Sequence, residues 1–303
     1  MKSEERRVKN ERKANFMIID PTTIPHSKLH AWLQSAVIPR PIAFASTVDS
    51  KGNINLSPFS FFNVFGSNPP TLVFSPSRRG RDNTTKHTYQ NVKEVPEVVI
   101  NMVGYAMVEQ VSLSSCEYPR GVNEFVKSGL TAISSTKVKP PRVAESPVAF
   151  ECRVREVKEL GDQGGAGNLV ICEVLLMHVK DEVLDDQGRI DPLKMDLVAR
   201  MGGDLYLRMQ KDGIFVVPKP NEKLGIGFDA LPKGVRESEV LTGNELGRLA
   251  NVSALPDAAT IKEFQSQASI QSVVQQGTQA RHRLAQYYLR QGKTEEAWKV
   301  LLD

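Results

Sequence analysis

What is scarce in this 303-residue chain narrows its class before any motif is read. No uninterrupted apolar run approaches the roughly 18 residues that cross a bilayer, so no membrane span is expected. Cysteine is rare: Cys116, Cys152 and Cys172 are an odd set with no CxxC spacing and no paired histidine. That argues against a disulfide framework and a zinc site, and it fits a reducing cytoplasm. Excess charge of one sign is scarce too. Lys plus Arg number 39 against 35 for Asp plus Glu, and the net +4 is too small and dispersed for a dedicated nucleic-acid surface, although one local phosphate site fits within it. The common catalytic fingerprints are absent: there is no HExxH, no GxxxxGK(S/T), no GxSxG, and no GxGxxG between a strand and a helix.

What is present is an ordinary globular composition, 40% hydrophobic and 24% charged, with room for a core domain of about 200 residues plus appendages. Residues 1–16 carry six basic and three acidic side chains with no apolar stretch behind them, which predicts a solvated, disordered basic tail rather than a targeting signal. "SKLHAWLQSAV" (27–37) predicts a helix with Leu29, Trp32, Leu33 and Val37 on one stripe and Ser27 as its cap. "PIAFASTV", "DSKG" and "NINLSPFSFF" (41–62) read as strand, turn and strand. Strands are also expected at 70–75 and 97–103 around a helix from Thr84 to Glu94, and a long hairpin at 146–157 and 168–184 around the glycine-rich loop 161–167. Hairpins without repeated crossover helices predict a mainly β fold built on an antiparallel sheet or barrel. After residue 238 the periodicity is helical, and the last 20 residues, with Leu284, Ala285, Tyr288, Gly292, Ala297 and Leu301, resemble a single tetratricopeptide repeat. Such a helical hairpin either caps the barrel, meets a second copy, or recruits a partner.

"PSRRGRDNTTKHTYQNV" (76–92) is the most informative stretch. Ser75, Ser77, Arg78, Arg79 and Arg81 precede a predicted helix start containing Thr84, Thr85 and Lys86, with Thr88 one turn on. Free amides at a helix start, hydroxyls and cationic side chains together suit an anion; a solvated basic loop with ordinary capping is the bland alternative. Upstream, Ser46, Thr47, Asn55, Ser57 and Ser60 alternate with Val48, Leu56, Phe59 and Phe61. A flat heteroaromatic ring needs such a wall, apolar for its faces and polar for its edge. A nucleotide-like cofactor satisfies both stretches. Cys116 lacks a nearby histidine and reads as structural. His178, alone among apolar residues in "LLMHV", is a core or interface group unless its face lines a cleft, in which case it contacts ligand.

The stretch "IPRPIAFASTVDSKGNINLSPFSFFNVFGSNPPTLVFS", followed by "KHTYQNV", "EVVINMV", "EFVKSGLT" (124–131) and "GRIDPLKMDLVARMGGDLY" (188–206), resembles the flavin reductase-like family of FMN-binding split barrels. The resemblance covers roughly residues 17–210. It implies a six-stranded antiparallel split β-barrel with flanking helices, a homodimer, and FMN rather than FAD near the subunit interface; the barrel domain is placed at 17–238, and the helical extension at 239–303, read from its periodicity, falls outside the resemblance. Carried over, Ser46, Thr47, Val48, Asn55, Leu56 and Ser57 contact the ring and ribityl chain, and Ser75, Ser77, Arg78, Lys86 and Thr88 hold the phosphate. Arg79 and Arg81 lie in a loop of variable length beside it, and Arg40 and Ser60 stand near the ring. His178, Glu124, Phe125 and Arg200 border the nicotinamide or substrate side, with His178 the one catalytic candidate. The implied reaction is hydride transfer from NADH or NADPH to flavin N5, then onward to free flavin, oxygen or a partner monooxygenase. An FMN-binding electron carrier or regulator, using the C-terminal helices to bind a partner, is the alternative. Because the cofactor carries the chemistry, the missing acid–base fingerprints are expected.

Overall fold

The computed structural model describes residues 16–220 and 223–302; the tail expected at 1–16 lies, save for Phe16, outside the described residues. The chain forms two compact units, Met1–Ile214 and Phe215–Asp303.

The first unit is built on one antiparallel sheet. Strand β1 (Ala43–Val48) is buried along its whole length. It turns back into β2 (Ile54–Phe59), pairing Thr47 with Asn55 and Ser46 with Leu56. The turn closes because the Asp49 carboxylate accepts from the Lys51 and Asn53 amides, each at 2.9 Å, and Gly52 takes φ +84°. Then follow β3 (Phe62–Ser67), β4 (Pro70–Phe74), helix α2 (His87–Glu94), β5 (Glu97–Asn101), helices α3 (Val108–Leu113) and α4 (Glu124–Ser128), and the two-residue strands β6 (Ala132–Ile133) and β7 (Arg142–Val143). Long strands β8 (Val148–Glu159) and β9 (Asn168–Val179) form the expected second hairpin, and β10 (Val198–Gly202) pairs with β11 (Leu205–Arg208). Helix α1 (His26–Ala36) precedes them all.

The strand order is β2-β1-β5-β8-β9-β4-β3, so two strands consecutive in the chain stand at opposite ends of the sheet. Seven strands laid flat would separate those ends by about 29 Å. Phe59 and Phe62 are three residues apart and at most about 11 Å. The sheet must therefore curl until its ends meet at Ser60–Phe61, which gives a split-barrel-like form. Alternation along β1 then serves two cores. Ala43 and Ala45 point into the curl with Phe59, Phe74, Ile100 and Cys172, while Ile42 and Phe44 pack outside it with Leu56, Met107 and Phe125.

The ladder has seven strands, not the six expected, and among the described residues β2 and β3 form no ladder that would close a barrel. The count differs because 53–62 reads as one strand: Ser60–Phe61 carries none of the glycine, proline or asparagine that marks a turn, yet the chain changes direction there. Helix α2 begins at His87 rather than Thr84, since the Asp82 carboxylate takes the Thr84 amide (3.0 Å) and hydroxyl (2.6 Å) and holds them in a turn. Helix α1 forms at the expected place with Pro25, not Ser27, at its cap. Its apolar stripe is open in the single chain: Trp32, Leu33 and Val37 are 42%, 52% and 63% exposed.

The second unit is helical. Its helices are α5 (Lys233–Arg236), α6 (Gly243–Ala250), α7 (Ala258–Gln265), α8 (Ala268–Gln275), α9 (Thr278–Arg290) and α10 (Thr294–Leu301), of which α5, α6, α9 and α10 share a core that includes Val235, Leu249, Ala285, Leu289, Ala297 and Trp298. Leu231 and Val235 belong to that core although they precede the expected boundary at 238. Thr242 and Glu245 form a capping box on α6, and the Trp298 indole donates to the Leu249 carbonyl at 3.1 Å.

The end of α2 is clamped to the β1–β2 turn through Glu94, whose carboxylate accepts from the Ser50 amide (3.0 Å) and hydroxyl (2.9 Å) and from Arg120 (2.7 Å). The Ser50 amide first, then Arg120, holds its pKa down at about 2 against the ordinary 4.5. A folded-state pKa below the unfolded one gives stability that is present above about pH 4.5 and lost as pH falls toward about 2. Glu94→Gln is expected to flatten the dependence of the urea midpoint on pH across that window while leaving the slope at neutral pH unchanged.

Candidate functional site

A cleft of about 580 Å³ opens along the corner where the sheet ends meet. One wall is Ser57, Pro58 and Phe59 of β2 with Ser60 and Phe61 of the corner; the other is the bend after β4, Ser75 and Ser77 to Arg81, with Lys86 beyond it. His26, His30 and Gln34 of α1 line the third side, one helical face at i, i+4 and i+8, with the His30 ring edge-on to Phe61 at 6.2 Å.

The bend is pinned from both sides. The Ser75 amide donates to the Phe61 carbonyl at 2.9 Å, its hydroxyl accepts from the Asn168 amide at 3.0 Å, and the Asn168 side chain donates to the Pro76 carbonyl at 3.0 Å. Arg78 and the loop 161–167 exchange backbone bonds, Arg78 N to Ala166 O (2.9 Å) and Gly165 N to Arg78 O (3.0 Å). The loop's glycines serve close packing more than flexibility. A Cβ on Gly164 would lie 3.0 Å from the Arg79 and Gly80 carbonyls, and one on Gly165, at φ +89°, would overlap the His26 ring.

The arginines of the bend do not all turn to the same partner. Arg78 is committed to Asn83, donating through Nε to Oδ1 (2.7 Å) and through Nη2 to the carbonyl (2.8 Å). Arg79, Arg81 and Lys86 converge instead on the Glu117 carboxylate: Arg79 Nε lies 3.0 Å from Oε1, Arg81 Nη2 contacts Oε2, and Lys86 Nζ is 3.7 Å from Oε1. Burial, then Arg79 and Arg81, push the Lys86 pKa down. Beside them the Ser77 hydroxyl is buried with no hydrogen-bond partner.

Other predicted site residues are brought together in a buried polar chain behind the cleft. Thr88 donates to Asn55 Oδ1 (2.8 Å), Asn55 donates to Glu124 Oε1 (2.8 Å), and the Leu56 amide donates to Glu124 Oε2 (2.9 Å). Burial pushes the Glu124 pKa up despite those donors. Asn55, Thr88 and Glu124 line a small cavity that shares Ser57 and Lys86 with the cleft. Ser46, Thr47, Val48 and Leu56 are buried in the sheet and do not line the cleft, with Thr47 accepting from Asn91 at 3.2 Å. Arg40 is buried behind the wall, donating to the Val37 carbonyl (2.8 Å), the Gln34 carbonyl and, at 3.4 Å, the Ser60 hydroxyl.

The remaining candidates lie elsewhere in roles their surroundings define. Phe125 is core. Arg200 stacks on Tyr206 at 4.5 Å and pairs backbone to backbone with Arg40. His178 is outside the cleft. Its Nε2 meets the fully buried Glu151 at 2.6 Å, and Glu151 also accepts from the Thr136 and Lys137 amides. Burial pushes the Glu151 pKa up, but these donors outweigh it and hold the carboxyl low.

Sequence reasoning missed Glu117, His26, His30 and Gln34. The histidines carried only a partial signal, an i, i+4 spacing in which His30 lies on the predicted helix 27–37 and His26 just before it. Glu117 carried none, since only the fold brings its segment to the bend.

The sequence profile of the flavin reductase-like domain family matches residues 35–194. An uncharacterized protein of Aquifex aeolicus is 38% identical over 180 residues, 59% of this chain and 89% of that protein. Among solved structures, component B of nitrilotriacetate monooxygenase from Bacillus cereus is 27% identical with a TM-score of 0.62, covering 67% of this chain and 100% of that one. A 2-nitrobenzoate 2-nitroreductase of Pseudomonas fluorescens is 26% identical with a TM-score of 0.57, covering 67% and 96%.

The buried chain generates a stability test. Thr88→Val keeps shape but leaves Asn55 Oδ1 without its donor, and urea unfolding is expected to show a loss of about 1–3 kcal/mol.

Proposed function

The chain belongs to the flavin reductase-like family, and from that premise we propose that it is an FMN-dependent oxidoreductase of the NAD(P)H:flavin reductase type. The observation that carries the reading is the Ser77 hydroxyl, buried without a partner beside the Arg79, Arg81 and Lys86 cluster at one end of a cleft whose wall is apolar. An orphaned donor next to converging cations fits a phosphate, and Pro58, Phe59 and Phe61 fit the face of a flavin.

FMN, when bound, supplies an N5 that accepts hydride from NADH or NADPH and passes electrons on to an acceptor. The chain's own residues hold and orient. Ser77, Arg79 and Lys86 hold the phosphate, with Arg81 at the rim; Arg78 holds Asn83 and so fixes the bend that presents them. Ser57 and Ser60 offer hydroxyls to the ring edge, and Arg40 steadies Ser60 from behind. Thr88, Asn55 and Glu124 brace β2 against α2 and α4. Phe59 and Phe61 keep water from the ring face. The open side beneath His26 and His30 admits the nicotinamide or the acceptor.

The open apolar stripe of α1, with Val64 and Phe65 on edge strand β3, supports a homodimer in which a second copy covers these faces. The likeness to a monooxygenase component B supports reduced flavin being delivered to a partner oxygenase, and the helical unit Phe215–Asp303 is the surface we assign to such a partner. Three cysteines outside any disulfide support a reducing, cytoplasmic setting. Among the described residues no helix is long and apolar enough to cross a membrane.

The test is an absorbance spectrum of the protein with FMN before and after anaerobic NADH and NADPH. Bound, bleachable flavin is expected; failure to take up FMN contradicts the proposal, and bound flavin that neither nucleotide bleaches favours an electron carrier. Lys86→Ala is expected to weaken FMN binding by about 1.5–3 kcal/mol and to leave riboflavin, which lacks the phosphate, unaffected.

A further inference from the structure

Glu117 lies on the segment between α3 and α4, and its position is peculiar for a cleft that takes an anion. Its carboxylate oxygens sit where the donors of Arg79, Arg81 and Lys86 converge, so a ligand anion and Glu117 need the same place. The segment's backbone is held independently of those contacts: the Ser114 hydroxyl donates to the Val111 carbonyl (2.7 Å), the Cys116 amide to the Leu113 carbonyl (3.2 Å), and Arg120 pairs with Glu94 (2.7 Å). The Glu117 side chain is one-third exposed, at 35%. It can swing to solvent by rotation about its own bonds while the loop stays in place.

The exchange is asymmetric in charge. A carboxylate carries one negative charge on two oxygens, whereas a phosphomonoester carries about −1.5 to −2 at neutral pH on three. Three cations hold the second more strongly than the first. A carboxylate ligand gains nothing over Glu117, and a neutral ligand cannot displace it.

We propose that Glu117 is a resident counter-ion that determines which anion the cleft admits, yielding its place to a phosphomonoester dianion and excluding monoanionic and neutral ligands from the cation cluster. Only the identity of the phosphomonoester as FMN rests on the functional reading above. While the cleft is open, Glu117 also keeps three close cations from repelling one another, which lets Lys86 stay half-buried there.

Glu117→Gln keeps the size of the side chain and removes its charge. Fluorescence titration is expected to show FMN binding about tenfold tighter or more in the variant, riboflavin binding unchanged, and the FMN difference shrinking as salt is raised. Equal or weaker FMN binding in Glu117→Gln overturns the proposal, because Glu117 then orients the arginines instead of competing for them. Inorganic phosphate, followed by its phosphorus NMR line width with wild type and variant, separates the two readings. If neither protein binds FMN, the flavin assignment fails; tighter phosphate binding in the variant still upholds the counter-ion role, and equal phosphate binding removes it. Glu117→Ala, with circular dichroism to confirm the fold, is expected to shift FMN affinity in the same direction.

Discussion

The two-residue link between β2 and β3 constrains everything else in the first unit. Among the described residues neither strand has a sheet neighbour on its outer side, and they stand at opposite ends of a seven-strand order, yet Ser60 and Phe61 alone connect them. Curling is the only way to satisfy a short chain between distant edges. The curl encloses one core, leaves a second under α3 and α4, and opens a cleft along the seam. The residues lining that seam, Ser57 to Phe61, are there because the link is short.

Electrostatics then gives one end of the seam its character. A chain of nearly balanced charge nevertheless gathers Arg79, Arg81 and Lys86 around a single point, because the bend after β4 is stitched to the β8–β9 loop and to the corner by backbone bonds that leave its side chains free to converge. Concentrated like charge near apolar surface is costly, and burial is what depresses Lys86 first. Glu117 offsets that cost. The selectivity we propose for a phosphomonoester draws on the same desolvation that makes the cluster expensive.

The fold was legible where period and turn chemistry agreed. The β8–β9 hairpin and the Asp49–Gly52 turn appear as expected, because alternation, glycine and acidic turn residues mark them locally. The break at Ser60–Phe61 was not legible, since two residues of no special turn propensity are bent there by the sheet as a whole. The basic stretch was legible as a cluster but not in its division of labour: Arg78 and Arg81 look equivalent in sequence, yet Asn83, one of two described non-glycine residues at positive φ, claims the first. Thr88 reads as a phosphate ligand from its spacing and is drawn instead toward Asn55, on a strand 33 residues away. His178 could be weighed as a ligand only until its buried partner Glu151 was visible. Long-range pairings of this kind leave no mark on a local pattern.

The account stands on the phosphate lying in the cation cluster while the ring lies on the β2 wall. A crystal structure of the protein with FMN tests that most directly. The account predicts the phosphate within hydrogen-bond distance of the Ser77 hydroxyl and Lys86, the ring against Phe59 and Phe61, and the Glu117 side chain swung to solvent. A phosphate bound elsewhere, or a cleft still closed by the Glu117 contacts at saturating FMN, would contradict it.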